Sequence, residues 1–300
     1  MNKIKIIAEI GVNHDGKFDK ALKLINSAKK IGVDIIKFQF YRTENISTKN
    51  LKLADYQKKN SKFKNQYEML KRLELSNKEI INLCKYSKKK GIKTCISFFS
   101  HQDLDILKIC KVDYVKVPSG EINNTLLLKE ISKLKKKIII STGMSNFSEI
   151  DNALKIISRG ISKKNISILQ CTSSYPAPFE DLNLKTINTI KEKYKLKTGF
   201  SDHSLGIEAS IAAASIGAEI IEKHLTINKK SKGPDHKASL NVNEFKEMIF
   251  SIRNIEKSLG NKKYITPSEK KNFKIVRKKI VANTNIKKGE LISIDKIGIK

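Results

Sequence analysis

Acidic residues are scarce in this chain: 30 Asp and Glu stand against 60 Lys and Arg, a formal charge of +30 over 300 residues. Other absences narrow the field further. No apolar run reaches the roughly 18 residues that a membrane-spanning helix needs. The four cysteines, Cys84, Cys95, Cys110 and Cys171, contain no CxxC pair. That argues for reduced, mostly buried thiols in a cytoplasmic protein and against a disulfide framework. The segment Met1–Glu9 becomes acidic too soon for a signal peptide and reads as a strand. No glycine-rich phosphate fingerprint follows it, since Gly11-Val12-Asn13-His14-Asp15-Gly16 is not GxGxxG, and this disfavours an open dinucleotide-type sheet. There is no RNA-binding aromatic signature and no helix-turn-helix pattern. The lysines are scattered, as in Lys88-Lys89-Lys90, Lys135-Lys136-Lys137, Lys229-Lys230 and Lys278-Lys279. They read as solvated helix faces, so neither nucleic acid nor membrane is an expected partner.

What is present is a repeated strand pattern. Eight apolar stretches, Ile4–Ile10, Ile35–Phe40, Lys93–Phe99, Tyr114–Gly120, Lys137–Gly143, Ser167–Ser174, Lys197–Ser204 and Glu219–Thr226, mostly end in reactive or metal-binding residues. Helical periodicity fills the gaps: Phe18–Ile31, Ser76–Lys90, Asp103–Lys111, Thr125–Leu134, Phe147–Arg159, Asp181–Tyr194, Gly206–Ile216 and Val242–Leu259. Ser76 with Glu79 forms a capping box. Alternating strands and helices with polar groups at the strand C-termini predict an α/β protein, a parallel (β/α)8 barrel over residues 1–260. Residues 261–276 then read as a linker, where Thr266-Pro267-Ser268-Glu269 starts a short helix. Residues 277–300 read as strand, turn, strand, with strands at Ile280–Ala282 and Leu291–Ile292, too short to fold alone.

Within this barrel His203 and His224 end adjacent strands, and two imidazoles there suit a divalent metal in an open site. Asp202 precedes the first. Lys37 and Lys116 interrupt apolar strands, where an unpaired charge is expensive; with Ser119 and Ser141 they form an expected grip for phosphate or carboxylate. Glu9 and Glu121 either activate water and move protons or pair with those lysines. The Gly233–Leu240 loop presents Asp235, which on pattern alone could equally be an ordinary exposed aspartate.

Eight stretches in order, Ala8–His14, Lys37–Gln39, Lys116–Glu121, Ser141–Met144, Tyr175–Asp181, Gly199–Ser204, Ile221–His224 and Gly233–Leu240, resemble the bacterial sialic acid synthase family. The tail from Arg277 is similar to the start of that family's antifreeze-like (SAF) domain. The resemblance implies condensation of phosphoenolpyruvate with an N-acylated mannosamine-type sugar to a nine-carbon 2-keto acid plus phosphate. It implies that His203 and His224 bind a divalent metal, Mn2+ or else Mg2+ or Co2+. It implies that Lys37, Lys116, Ser119, Ser141 and Ser173 hold phosphoenolpyruvate, and that Gln39, Ser97, Tyr175 and Asp235 contact the sugar. Glu9, Glu121 and Asp202 are the catalytic candidates. The first expected sugar is N-acetylmannosamine, giving N-acetylneuraminate; a 2,4-diacetamido sugar, giving N,N'-diacetyllegionaminic acid, is the alternative. Three departures stand out. Phe98 replaces a usual proline, Gln170 a usual histidine, and Ser173 an asparagine found in some relatives. The chain also stops at Lys300, before the Arg-Pro-Gly segment whose arginine reaches the partner subunit in the family's homodimer. Weaker sugar binding, weaker dimerisation, or an inactive barrel with a binding role are the expectations that follow.

Overall fold

The computed structural model describes residues 3–53 and 63–300. Two compact units divide the chain, Met1–Leu259 and Gly260–Lys300.

In the first unit eight parallel strands close into a barrel in sequence order, β1 to β8. They are β1 Lys5–Gly11, β2 Ile35–Phe40, β3 Lys93–Phe98, β4 Tyr114–Val117, β5 Lys137–Ser141, β6 Ile166–Cys171, β7 Lys197–Asp202 and β8 Ile220–His224. Each lies within two residues of its expected start, and several end earlier because the last residues curl into the loops. The helices that follow the strands include α1 Phe18–Lys30, α4 Asn77–Lys89, α5 Thr125–Ser132, α6 Phe147–Ile157, α7 Thr186–Tyr194, α8 Glu208–Ser215 and α9 Val242–Ser258; α2 Thr43–Ile46 and α3 Gln66–Leu73 lie after β2. Ser76 closes the expected capping box with Glu79. One connection differs from expectation. After β3, His101–Lys108 forms a 3-10 helix rather than an α-helix, with Asp103 and Ile106 both buried. That spacing of three matches the 3-10 period, which turns the same residues inward on every turn.

Side chains alternate across each strand, so every barrel strand has one inward and one outward set. The outward set, Ile6, Ala8, Ile36, Phe38, Ile96, Val115, Val117, Ile138, Ile140, Ile168, Phe200 and Ile221, meets the helices in one continuous apolar core. The inward set is layered. A lower layer of Ile7, Ile35, Cys95, Tyr114, Ile139, Leu169 and Ile220 fills the barrel. The next inward positions toward the C-terminal ends are polar: Glu9, Lys37, Ser97, Lys116, Ser141, Ser201 and Glu222, all buried. At Gly199 a Cβ would collide with the Ile220 carbonyl, so β7 passes β8 only because it carries a glycine. Between Glu9 and Gly11 the β1–β2 register slips by one, a bulge with Gly11 at φ +52°. That left-handed conformation suits glycine.

The second unit contains α10 Pro267–Val276, opened by Thr266 and Glu269 as a capping box with Pro267 in the first turn. β9 Ile280–Ala282 pairs antiparallel with β10 Ile297–Ile299. The second strand is therefore not at Leu291–Ile292, which lies in the exposed connection. No helix among the described residues is long and apolar enough to cross a membrane.

Candidate active site

The inward polar layer is a charge network. Lys37 Nζ lies 2.8 Å from Glu9 Oε2 and 3.0 Å from Glu222 Oε1. Lys116 donates to both oxygens of Glu222, at 2.8 and 2.9 Å. Ser201 Oγ donates to Glu222 Oε1 at 3.0 Å, and Lys37 Nζ donates to Ser97 Oγ at 3.2 Å. Glu222 therefore sits between two buried lysines. Burial alone would push its carboxyl up, but Lys116 and Lys37 outweigh that and hold it well below the usual carboxylate range. Lys37 in turn stays protonated despite burial, because Glu222 and Glu9 face it. Burial wins at Lys116 and brings it below the usual lysine value. Burial also pushes Glu9 up to about 7, against the pull of Lys37.

Above this layer a cavity of ≈ 430 Å³ opens at the strand C-termini, lined by Lys37, Ser97, Lys116, Ser119, Ser141, Cys171, Ser173, Ser201, Glu222, His203 and His224 among others. Ser119 Oγ accepts the Gly143 N–H at 3.0 Å. A Cβ at Gly143 would collide with Ser173 Oγ and crowd Ser119 Oγ, so this glycine lets the two hydroxyls converge. Ser141 Oγ is buried without a hydrogen-bond partner among the described residues. A buried hydroxyl left unsatisfied costs on the order of 1–3 kcal/mol, and here it lines a cavity that a ligand can fill.

His203 and His224 stand with ring centroids 5.6 Å apart. Tyr175 stacks on His203 at 4.2 Å and meets His224 edge-on at 5.9 Å. His203 Nδ1 lies 2.8 Å from the Thr172 carbonyl and 3.7 Å from Cys171 Sγ. Its Nδ1 proton therefore points at the carbonyl, which leaves Nε2 as the basic nitrogen. His224 is held well below the usual histidine range by burial and then by His203 and Lys37, and it is neutral. Its Nδ1 is buried without a hydrogen-bond partner among the described residues, with Asp235 Oδ2 at 3.7 Å. Cys171 and the Thr172 carbonyl push His203 up against burial, while His224 is neutral; with Nε2 of the first and Nδ1 of the second turned to a cavity, the pair fits a divalent metal, which would displace any proton held on His203. No group of three or more His, Cys, Asp and Glu suited to a metal occurs among the described residues, so such a site is open, with two protein ligands.

A second, outer cavity of ≈ 290 Å³ shares Gln39, Phe99 and Tyr175 with the first and adds Tyr41, Glu121 and Asp235. Burial pushes Glu121 up, against the hydrogen bond from the Asn124 amide at 2.6 Å. Burial likewise pushes Asp235 up to about 6. The loop carrying Asp235 is tied to the loop after β1: Asn13 Nδ2 donates to the Leu225 carbonyl at 2.9 Å and to Ser239 Oγ at 2.8 Å, while His236 Nε2 meets Asp15 Oδ1 at 2.8 Å. Gly11 has no side chain in the way, and there Glu9 Oε1, Asp235 Oδ2 and His224 converge.

Most of the expected site residues thus surround one mouth, with three adjustments. Asp202, expected to be catalytic, is on the outward face of β7. Its oxygens bind Lys223 Nζ at 2.8 Å, the Ser204 N–H and hydroxyl, and the Ser210 hydroxyl of α8. Strand alternation puts it there, because its neighbour His203 faces in. Ser97, expected on the sugar side, lines the inner cavity on Lys37. Glu121 pairs with neither lysine. Glu9 does pair with Lys37, and the acid that bridges both lysines is Glu222, which was not among the expected site residues.

The NeuB family model matches residues 24–264. The N,N'-diacetyllegionaminic acid synthase of Campylobacter jejuni is 44% identical over 98% of this chain and 89% of its own length. Human N-acetylneuraminate-9-phosphate synthase is 33% identical over 98% of this chain and 82% of its own. Among solved structures, the N-acetylneuraminic acid synthetase of Leptospira borgpetersenii in complex with citrate superposes with a TM-score of 0.79 at 34% identity, covering 91% of both chains.

Proposed function

The chain belongs to the NeuB family and is an enzyme of the acid-synthase type; from that premise we propose that it joins phosphoenolpyruvate to an N-acylated mannosamine-type sugar in its open aldehyde form. The observation that carries this reading is the inner cavity. Two buried lysines and three serine hydroxyls converge there beside two histidines.

In this reading Lys37 and Lys116 balance the phosphate and carboxylate of phosphoenolpyruvate, while Ser119, Ser141 and Ser173 donate to phosphate oxygens. The unsatisfied Ser141 hydroxyl gains its partner on binding. Gln39, Tyr175 and Asp235 orient the sugar where the two cavities meet. A divalent metal, Mn2+ or else Mg2+ or Co2+, held by His203 and His224 would polarise the aldehyde oxygen as a Lewis acid. Carbon 3 of phosphoenolpyruvate then attacks the aldehyde carbon, water adds at carbon 2, and phosphate leaves by C–O cleavage. Glu9, poised near neutrality, is suited to take and return protons beside the reacting carbons. Glu121 lies in the outer cavity and serves the sugar side. Holding two small reactants in line supplies much of the rate gain.

For the sugar, the legionaminic-type relative is the more identical of the two named synthases. We therefore put the 2,4-diacetamido sugar ahead of N-acetylmannosamine, the order opposite to the one expected from sequence alone. The test is phosphate release from phosphoenolpyruvate with each sugar and Mn2+, with and without EDTA, beside His203→Ala. Release with the diacetamido sugar at the higher kcat/KM, abolished by EDTA and in the variant, is the expected result. A preference for N-acetylmannosamine would reverse the sugar assignment. No release with either would favour a barrel retained for binding alone.

A further inference from the structure

At the opposite end of the barrel the inward parity that places the active-site residues reaches the strand starts. The first residues of β1, β3, β5 and β7 are Lys5, Lys93, Lys137 and Lys197. Each is an even number of residues from an inward position of its own strand: Ile7, Cys95, Ile139 and Ser201. A closed eight-stranded barrel stacks its interior in layers of about four side chains from alternate strands. These four lysines form one such layer, the lowest.

Geometry confirms the convergence for two of them. Lys5 Nζ and Lys137 Nζ lie 5.5 and 5.7 Å from the centroid of the same ring, that of the buried Tyr114. The strands β1 and β5 are on opposite sides of the barrel, so these two cations reach toward the axis from facing walls. Lys93, Lys137 and Lys197 are exposed and Lys5 is half-buried.

None of the four forms an ion pair among the described residues, although carboxylates are close in sequence. Asp34, Asp113 and Glu219 each precede an even-numbered strand, but they turn outward: Asp34 accepts the Ile6 N–H and binds Arg253, Asp113 accepts the Thr94 N–H, and Glu219 faces Lys191. Among 60 basic residues a single lysine at a strand start would mean little. Four at axis-facing positions of alternate strands, two of them over the Tyr114 ring and none in an ion pair among the described residues, concentrate positive charge at this end. Like charges so gathered repel one another, and a bound polyanion removes that cost.

We propose that the N-terminal mouth of the barrel is a second anion site, taking a small multivalent phosphate such as a di- or triphosphate group on the barrel axis over Tyr114. A compact polyanion on the axis is reachable from all four walls, and Tyr114 supplies a flat apolar floor beneath it. The site is separate from the active site: the four residue steps from Lys5 to Glu9 span roughly 13 Å of strand. The site itself does not depend on the reaction assigned above; the test rests on that reading only in using phosphoenolpyruvate to fill the active site.

The test uses the full chain and inorganic tripolyphosphate as probe, titrated calorimetrically at physiological ionic strength. Three proteins are compared: wild type, Lys93→Gln/Lys197→Gln, and Lys78→Gln/Lys246→Gln as a charge-matched control at exposed positions near the starts of α4 and α9. Phosphoenolpyruvate is kept saturating so that Lys37 and Lys116 do not contribute. One saturable site per chain, weakened about tenfold or more by the strand-start pair and unchanged by the control, is the expected result. Equal weakening in both variants, or no saturable binding in wild type, would overturn the proposal. Thermal unfolding of the three separates a folding defect from lost binding; if the strand-start pair unfolds early, Lys197→Gln alone carries the comparison.

Discussion

Glu222 is the residue on which the site's electrostatics turn. It holds Lys116 with both oxygens and Lys37 with one. Removing one partner of a buried ion pair leaves an uncompensated charge and costs about 3–5 kcal/mol. Glu222→Gln keeps the volume and the Ser201 contact but removes the charge. Lys37 would retain Glu9, while Lys116 would be left without a carboxylate. The variant is expected to lose about 3 kcal/mol in urea unfolding and to release phosphate far more slowly. An unchanged urea midpoint would mean that the lysines do not depend on this carboxylate. The residue was legible in principle. In Ile220-Ile221-Glu222-Lys223-His224, a histidine facing the mouth puts the residue two before it on the same face and the residue one before it on the other. The same count puts Asp202 behind His203. Residue type suggested Asp202 and passed over Glu222, whereas strand parity decides for Glu222. Lys37, Lys116, Ser141 and both histidines obeyed the parity, and they were read correctly as lining one mouth.

At the scale of elements, Asp202 and Lys223 join β7 to β8 one residue behind each histidine, with α8 contributing Ser210. Both side chains are 0% exposed. Every contact in this cluster points away from the cavity, so its work is to hold two strands and a helix together. Asp202→Asn should therefore cost about 3 kcal/mol of stability by leaving Lys223 buried and unpaired, yet keep most of its turnover per folded molecule. Thermal unfolding together with phosphate release normalised to folded protein checks this. A folded, fully stable and dead Asp202→Asn would restore the catalytic role. The strands and most helices could be read from sequence because each is long enough for its period to show. Two elements could not. The connection after β3 carries helix-like residues, but Arg42 draws in Asp103 and Asp105 at 3.0 and 3.1 Å, and the segment tightens to a 3-10 helix. In the second unit Leu291–Ile292 has the stronger β propensity, yet Ile297–Ile299 pairs with β9. Gly298 there passes Asn283 where a Cβ would collide, and pairing outweighs propensity in so short a ladder.

For the whole molecule the charge of +30 is first a matter of stability. Exposed ion pairs such as Lys71–Glu44 and Lys193–Asp151 contribute about 0–1 kcal/mol each. With twice as many basic as acidic residues, most lysines have no such partner, and the folded state brings their charges closer than the unfolded chain does. Salt acts on both effects, weakening the pairs and screening the repulsion. The repulsion is the larger because unpaired cations outnumber the pairs. Raising NaCl from about 20 mM to about 0.3 M shortens the Debye length from roughly 20 Å to below 10 Å, so the melting temperature is expected to rise and then level off. A scan of Tm against ionic strength, repeated with sucrose to isolate the effect of solute exclusion, measures this. A fall in Tm with salt would show that ion pairs dominate. A steady climb without a plateau, matched by sucrose, would assign the effect to exclusion from the surface rather than to charge. The scattered lysines then count as a distributed cost that salt relieves, and only where four of them share one layer at the foot of the barrel does the same charge become a site.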